Sequence, residues 1–240
     1  MSLEDWMQTP IPTANAAYPD YDAAYRLPPA PEGGEPLVDI TDCNPRISFA
    51  ASYLHMGIPG ALTHCYVRQG VYERLCRALE LLPENYSFRI FDSLRPQHVQ
   101  RALYDAYYAR VQAENPGLPE AELEERTERF VAKPVLDRYH PSSHQSGGAV
   151  DLTLCKDGEE LNMGTVFDEF APIAYADAFE KPGMDEEVRR NRRLLHHAMR
   201  AAGFTHYCDE WWHFDYGDGP WARRTHSAPL YAFCAEGDLR

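Results

Sequence analysis

Two stretches of this sequence carry the side chains from which a hydrolytic metal site is built. The first is Ser142-Ser143-His144-Gln145-Ser146-Gly147-Gly148-Ala149-Val150-Asp151; the second is Glu210-Trp211-Trp212-His213. They offer two imidazoles and a carboxylate as ligands, His144, Asp151 and His213. A further carboxylate, Glu210, stands just ahead of the last ligand. A catalytic zinc ion takes three protein ligands and keeps a fourth position open, with a base nearby to receive a proton from water. Each residue alone also has an ordinary reading: His144 as a loop histidine, Asp151 as a strand-end carboxylate bonded to backbone, Glu210 as a surface acid. Against that reading, Asp151 interrupts the apolar run Ala149-Val150-Asp151-Leu152, where an unpaired charge is costly to bury.

The surrounding elements must bring these groups together. His144 and Asp151 could not converge along one straight strand, so a turn is required between them, and Gly147-Gly148 permits it. A strand is predicted over 149–154, with Val150, Leu152 and Leu154 toward the core and Ala149, Asp151 and Thr153 toward a site. Glu210 and His213 would face opposite ways on a regular strand, so an irregular turn or bulge at Glu210-Trp211 is expected. Trp211, Trp212 and Phe214 are either low-dielectric walls that raise a carboxyl's affinity for protons or core packing. Arg95 follows a predicted strand over 86–92 and precedes a helix opening near Pro96. Fixed positive charge there could stabilise an oxyanion, or simply pair with a surface carboxylate.

Helices are also predicted over 70–82, stopping at Pro83, and over 186–202, ending at Gly203; the charged stretch 119–131 reads as an exposed helical excursion. Short strands are expected at 37–40, 204–207 and 212–216. The elements mix without regular βαβ alternation, which favours an α+β single domain with a central antiparallel sheet flanked by helices and the metal site at the sheet. Residues 1–35, with Pro10, Pro12, Pro19, Pro28, Pro29 and Pro31, read as an extended or poorly ordered N-terminal arm. The domain proper would run over 36–240, with 115–133 as a helical insert.

Composition excludes several classes. The 240 residues carry a net charge of −14, which argues against a nucleic-acid partner. No apolar run approaches the ~18 residues of a membrane span. Met1-Ser2-Leu3-Glu4-Asp5-Trp6 shows neither a basic n-region nor an apolar h-region, so a cytoplasmic location is expected. Six cysteines without a C-x-x-C pair suggest reduced thiols.

With these residues in place, the chain resembles the zinc D-alanyl-D-alanine dipeptidases of the VanX type, within the wider group of zinc D,D-peptidases. The resemblance runs from about Leu37 to Tyr216 and is carried by Ser142-Ser143-His144 through Asp151-Leu152-Thr153-Leu154, by Asn162-Met163-Gly164-Thr165-Val166-Phe167-Asp168, by Asn191-Arg192-Arg193-Leu194-Leu195 through Gly203-Phe204, and by Glu210-Trp211-Trp212-His213. It implies one Zn(2+) per chain on His144, Asp151 and His213, and Glu210 as general base and acid. It matches Arg95, in Asp92-Ser93-Leu94-Arg95-Pro96, to the family's transition-state arginine. Ser142 and Asp168 match positions that grip the dipeptide's free ammonium, although Asp168 also reads as an ordinary helix N-cap. The implied activity is hydrolysis of D-alanyl-D-alanine-type dipeptides in cell-wall peptide chemistry. Two alternatives stand beside it. A D,D-carboxypeptidase or peptidoglycan endopeptidase of the same group is disfavoured by the missing signal. A non-catalytic zinc-binding module would need neither Glu210 nor Arg95. The insert, the first 35 residues and the tail after Tyr216 depart from the family's pattern, and are open to reshaping the cavity mouth or mediating a homo-oligomer.

Overall fold

The structure, a computed structural model, describes residues 2–18, 26–31, 34–134, 137 and 139–234. The chain opens with helices α1 (Leu3–Gln8) and α2 (Ala14–Ala17), then β1 (Leu37–Asp39), β2 (Ile47–Phe49), α3 (Ser52–His55), β3 (Tyr66–Arg68) and α4 (Gln69–Glu80). Next come β4 (Tyr86–Asp92), α5 (Gln97–Glu114), α6 (Glu120–Glu128), β5 (Ala149–Lys156) and β6 (Glu159–Glu160). The last elements are α7 (Glu186–Ala201), β7 (Thr205–His206), β8 (His213–Asp215) and α8 (Gly219–Thr225).

The main sheet has the order β2-β4-β5-β8-β7, with β6 folded back on β5. The fold is α+β, as the mixture of elements predicts. All pairs in this sheet are antiparallel except β2 with β4, which run parallel, so the sheet is mixed. Strands β1 and β3 pair separately.

β5 lies at the centre, and its composition explains why. Val150, Leu152 and Leu154 are fully buried and join a core with Phe88 and Ile90 of β4 and Phe214 of β8. Helices α4 and α7 complete that core through Val71, Leu75, Leu194, Leu195, Ala198 and Met199. The spacing of these side chains places them on one face of each helix. Asp185 caps α7, its carboxylate accepting from the backbone N–H groups of Glu187 and Val188 at 2.9 and 3.1 Å. The helix ends where predicted, Gly203 taking the left-handed backbone at φ +103°.

Strand register builds the site. Asp92 stands opposite Asp151, and Asp151 opposite His213, so three neighbouring strands present one row of side chains across the sheet. The Gly147-Gly148 turn delivers His144 to the same place. Gly148 is tightly constrained: a Cβ there would lie 2.6 Å from the carbonyl oxygen of Tyr216, just past β8.

Within the expected extended arm, residues 3–8 and 14–17 are helical. Serine 2 and Asp5 form a reciprocal cap on α1, and α1 packs against α7 with Trp6 buried in the main core. Arg193 of α7 donates to the carbonyls of Met7 and Gln8 at 3.2 and 3.1 Å. A Pro-rich composition concealed this because the helix is short and its anchor is one tryptophan. Residues 19–25 and 32–33 of that arm lie outside the described residues. In the 115–133 segment, α6 forms and packs on α5. Among the described residues no helix is long and apolar enough to cross a membrane.

Candidate metal centre

His144, Asp151 and His213 are all buried, and their ligand atoms lie within 4.8 Å of one another. Hydrogen bonds fix which ring nitrogens face inward. His144 donates from Nδ1 to the carbonyl of Ser93 at 2.7 Å. His213 donates from Nε2 to Asp215 Oδ1 at 2.7 Å. Nε2 of His144 and Nδ1 of His213 are then turned toward each other at 3.3 Å, and each is a metal ligand when it carries no proton. Asp151 brings Oδ1 to 2.9 Å from the His213 nitrogen and Oδ2 to 3.4 Å from that of His144. Burial alone would keep His213 neutral, but Asp215 and Asp151 hold a positive charge on it, and a metal ion at the centre would take the place of the proton it shares with Asp151 at 2.9 Å. Donors at ~2.0–2.2 Å from a tetrahedral ion stand roughly 3.3–3.6 Å apart; two of the three separations, 3.3 and 3.4 Å, match that spacing, and a small shift of the Asp151 carboxylate would bring the third, 2.9 Å, into line. The outer partners, the Ser93 carbonyl and Asp215, orient the rings as such partners do in metal sites.

Charge around the trio points the same way. Burial opposes ionisation of Asp151, but the flanking imidazoles hold its carboxyl well below the usual carboxylate range. Asp215 is fully buried and binds both His213 and Arg224. Burial raises its pKa, but His213 and Arg224 more than offset that and hold it below the usual range. Asp151, Asp168, Glu210 and Asp215 all line the cavity beside Arg95 and Arg224. That balance suits an added positive charge.

Glu210 sits in the irregular turn between β7 and β8, as the three-residue spacing to His213 required. Its Oε2 lies 3.8 Å from His213 Nδ1, and its side chain is 17% exposed. Burial pushes its carboxyl up to about 8. The neighbouring aromatics are core: Trp211, Trp212 and Phe214 belong to the main apolar cluster and do not line the cavity. Trp211 donates from its indole to Thr165 Oγ1 at 2.7 Å and helps lock the turn that carries Glu210.

Arg95 points inward. Its Nε donates to Asp92 Oδ2 at 2.9 Å, Nη1 to Gln100 Oε1 at 2.8 Å and Nη2 to the Tyr53 hydroxyl at 3.1 Å. Nη2 is also 3.6 Å from Asp151 Oδ2, which places the guanidinium beside the trio. The side chain is 11% exposed, so the surface-pair reading does not describe it.

Asp168 is no helix cap. It lies in a turn with left-handed backbone, φ +59°, and its carboxyl meets the Tyr53 hydroxyl. A non-glycine residue held in that conformation is commonly found at functional sites. Burial, then the charge of Asp151, pushes it up to about 7. Ser142 lines the same cavity, but its hydroxyl donates to Gln145 Oε1 at 2.8 Å. The structure therefore brings His144, Asp151, His213, Glu210, Arg95 and Asp168 around one cavity, with Ser142 at its wall. Tyr53, Asp215 and Arg224 join them without a local sequence signal. Asp92 could have been suspected from its place three residues before Arg95. The cavity measures about 560 Å³.

The family model described as "D-ala-D-ala dipeptidase" in Peptidase_M15 matches residues 64–230 of the chain. The D-alanyl-D-alanine dipeptidase of Synechocystis sp. is 29% identical over 218 residues, covering 82% of this chain and 88% of its own length. That of Enterococcus faecium is 31% identical over 163 residues, covering 66% of this chain and 76% of its own. That of Escherichia coli is 32% identical over 127 residues, covering 52% of this chain and 53% of its own. A solved structure of the vancomycin resistance D,D-pentapeptidase VanY in complex with Zn(II) aligns at a TM-score of 0.44 and 18% identity, over 88% of this chain and 94% of its own.

Proposed function

Because this chain belongs to the D-Ala-D-Ala dipeptidase family and is a peptidase, we propose that it hydrolyses D-alanyl-D-alanine-type dipeptides with one zinc ion held by His144, Asp151 and His213. The observation that carries this reading is the convergence of three buried ligand atoms within 4.8 Å, with Glu210 3.8 Å from His213 and Arg95 3.6 Å from Asp151. Zinc bound there supplies Lewis acidity, polarising the scissile carbonyl and lowering the pKa of water.

The protein's own groups divide the remaining work. Glu210, at the cavity wall, takes the proton of the attacking water on its carboxylate and returns it to the leaving amine. Arg95 presents fixed charge to the oxyanion that develops on the substrate carbon, and Asp92 and Gln100 hold its guanidinium in place. The Ser93 carbonyl and Asp215 hold the two imidazoles from behind, with Asp92 3.2 Å from the His144 Nδ1. Asp168 holds the free ammonium of the dipeptide through a charge-assisted hydrogen bond, with Ser142 beside it at the wall.

The test is hydrolysis of D-Ala-D-Ala, L-Ala-L-Ala and N-acetyl-D-Ala-D-Ala, with and without a chelator. D-Ala-D-Ala is the expected substrate, chelation should stop the reaction, and added zinc should restore it. Losing the ammonium's partnership with Asp168 is worth about 2 kcal/mol, so the acetylated form should react some 30-fold more slowly. Asp168→Asn, which tolerates the left-handed backbone, should narrow that gap. Equal kcat/KM for the free and acetylated forms would point instead to a D,D-carboxypeptidase.

A further inference from the structure

The cavity extends well beyond the groups that the reaction needs. Its lining includes three aromatic rings, Tyr107 of α5, Phe130 just after α6, and Phe170, two residues beyond Asp168, with the charged side chains of Arg110, Glu128 and Arg129 beside them. Tyr107 meets Phe170 edge-on at 5.1 Å between centroids and Phe130 at 6.2 Å, and Phe130 lies 5.5 Å from Phe170. All three rings are only partly buried. Helix α5 measures the chamber's reach: Gln100, Leu103, Tyr107 and Arg110 line the cavity at helical spacing, and Gln100 is the residue bonded to Arg95. From Gln100 to Arg110 is ~15 Å along the helix. Two alanines, with a methyl group each, fill little of a cavity of about 560 Å³.

We propose that this chamber is a subsite for a large apolar side chain, aromatic or branched, on the amino-terminal residue of the dipeptide. The inference rests on the dipeptidase reading above and refines its substrate. Its direction follows from Phe170, two residues beyond Asp168 in the chain and lining the same cavity. A residue whose ammonium is held at Asp168 presents its side chain to these rings. Offset and edge-on ring contacts are the arrangement that receives another aromatic group. A purely structural role for the rings, pinning α6 to the Asp168 turn, would change all substrates alike.

The test compares kcat/KM for D-Ala-D-Ala, D-Phe-D-Ala and D-Ala-D-Phe with the zinc-loaded enzyme. Burying one aromatic side chain predicts that D-Phe-D-Ala exceeds D-Ala-D-Ala by at least ~10-fold. Phe130→Ala and Tyr107→Ala should each bring that ratio toward one. The ratio is read within each variant, so partial loss of folded protein cancels, and Phe130→Leu, which keeps apolar bulk, should retain most of the preference. Cleavage of D-Ala-D-Ala with no gain for D-Phe-D-Ala, or a gain only for D-Ala-D-Phe, overturns the subsite and leaves the dipeptidase reading intact. Cleavage of none of the three removes that reading, and the subsite with it.

Discussion

Glu210→Gln lowers kcat for the dipeptide by ~10²–10⁴-fold, the scale of a lost general base, while the protein keeps its fold. The substitution is nearly isosteric and leaves a polar group in the turn between β7 and β8. The carboxylate it removes lies 3.8 Å from His213 Nδ1, beside the ligand trio, with 17% of its side chain exposed. KM should change little, because the acid touches the reacting water and amine rather than the substrate's ends. A variant that retains wild-type kcat would remove Glu210 from the reaction and leave its buried carboxyl as a structural oddity of the turn.

Arg95→Ala is expected to cost ~10²–10³-fold in kcat, the scale of an oxyanion donor. This substitution has a second consequence that must be separated from the first. Asp92 is 7% exposed and takes two nitrogens of this guanidinium, at 2.9 and 2.8 Å. Removing Arg95 strands that carboxylate, so the protein should also lose stability. Arg95→Lys separates the two effects. A lysine keeps a positive charge against Asp92 but cannot reproduce the fork that reaches Asp92, Gln100 and Tyr53 together. Thermal unfolding should therefore recover substantially in Arg95→Lys while kcat stays low. If kcat follows stability in both variants, Arg95 is a partner of Asp92 and nothing more.

Much of this site was legible in the sequence, because its parts are held by local signals. A glycine pair between His144 and Asp151, a carboxylate set into an apolar strand, and a spacing of three between Glu210 and His213 each constrain backbone geometry without knowledge of the rest of the chain. The ends of α4 and α7 were legible for the same reason, a proline beyond one and a glycine after the other. What escaped reading depends on register and long-range pairing. Strands β2 and β3 are three residues each and show no period. The parallel run of β2 beside β4 follows from how the chain returns, not from its composition. The opposition of Asp92, Asp151 and His213 is a fact of strand register. Asp215 and Arg224 meet behind His213 only because α8 folds back onto β8, and Tyr53 reaches Arg95 from a helix of four residues. The aromatic chamber joins side chains from positions 107, 130 and 170, and no local pattern links them.

The central claim is that His144, Asp151 and His213 hold one zinc ion and that Glu210 does not. Metal content per chain after loading and dialysis, measured side by side in the wild type, His213→Ala and Glu210→Gln, addresses it most directly. The predicted result is about one zinc in the wild type and in Glu210→Gln, and essentially none in His213→Ala. Equal loss of zinc in both variants would make Glu210 a ligand, and undiminished zinc in His213→Ala would place the metal somewhere else.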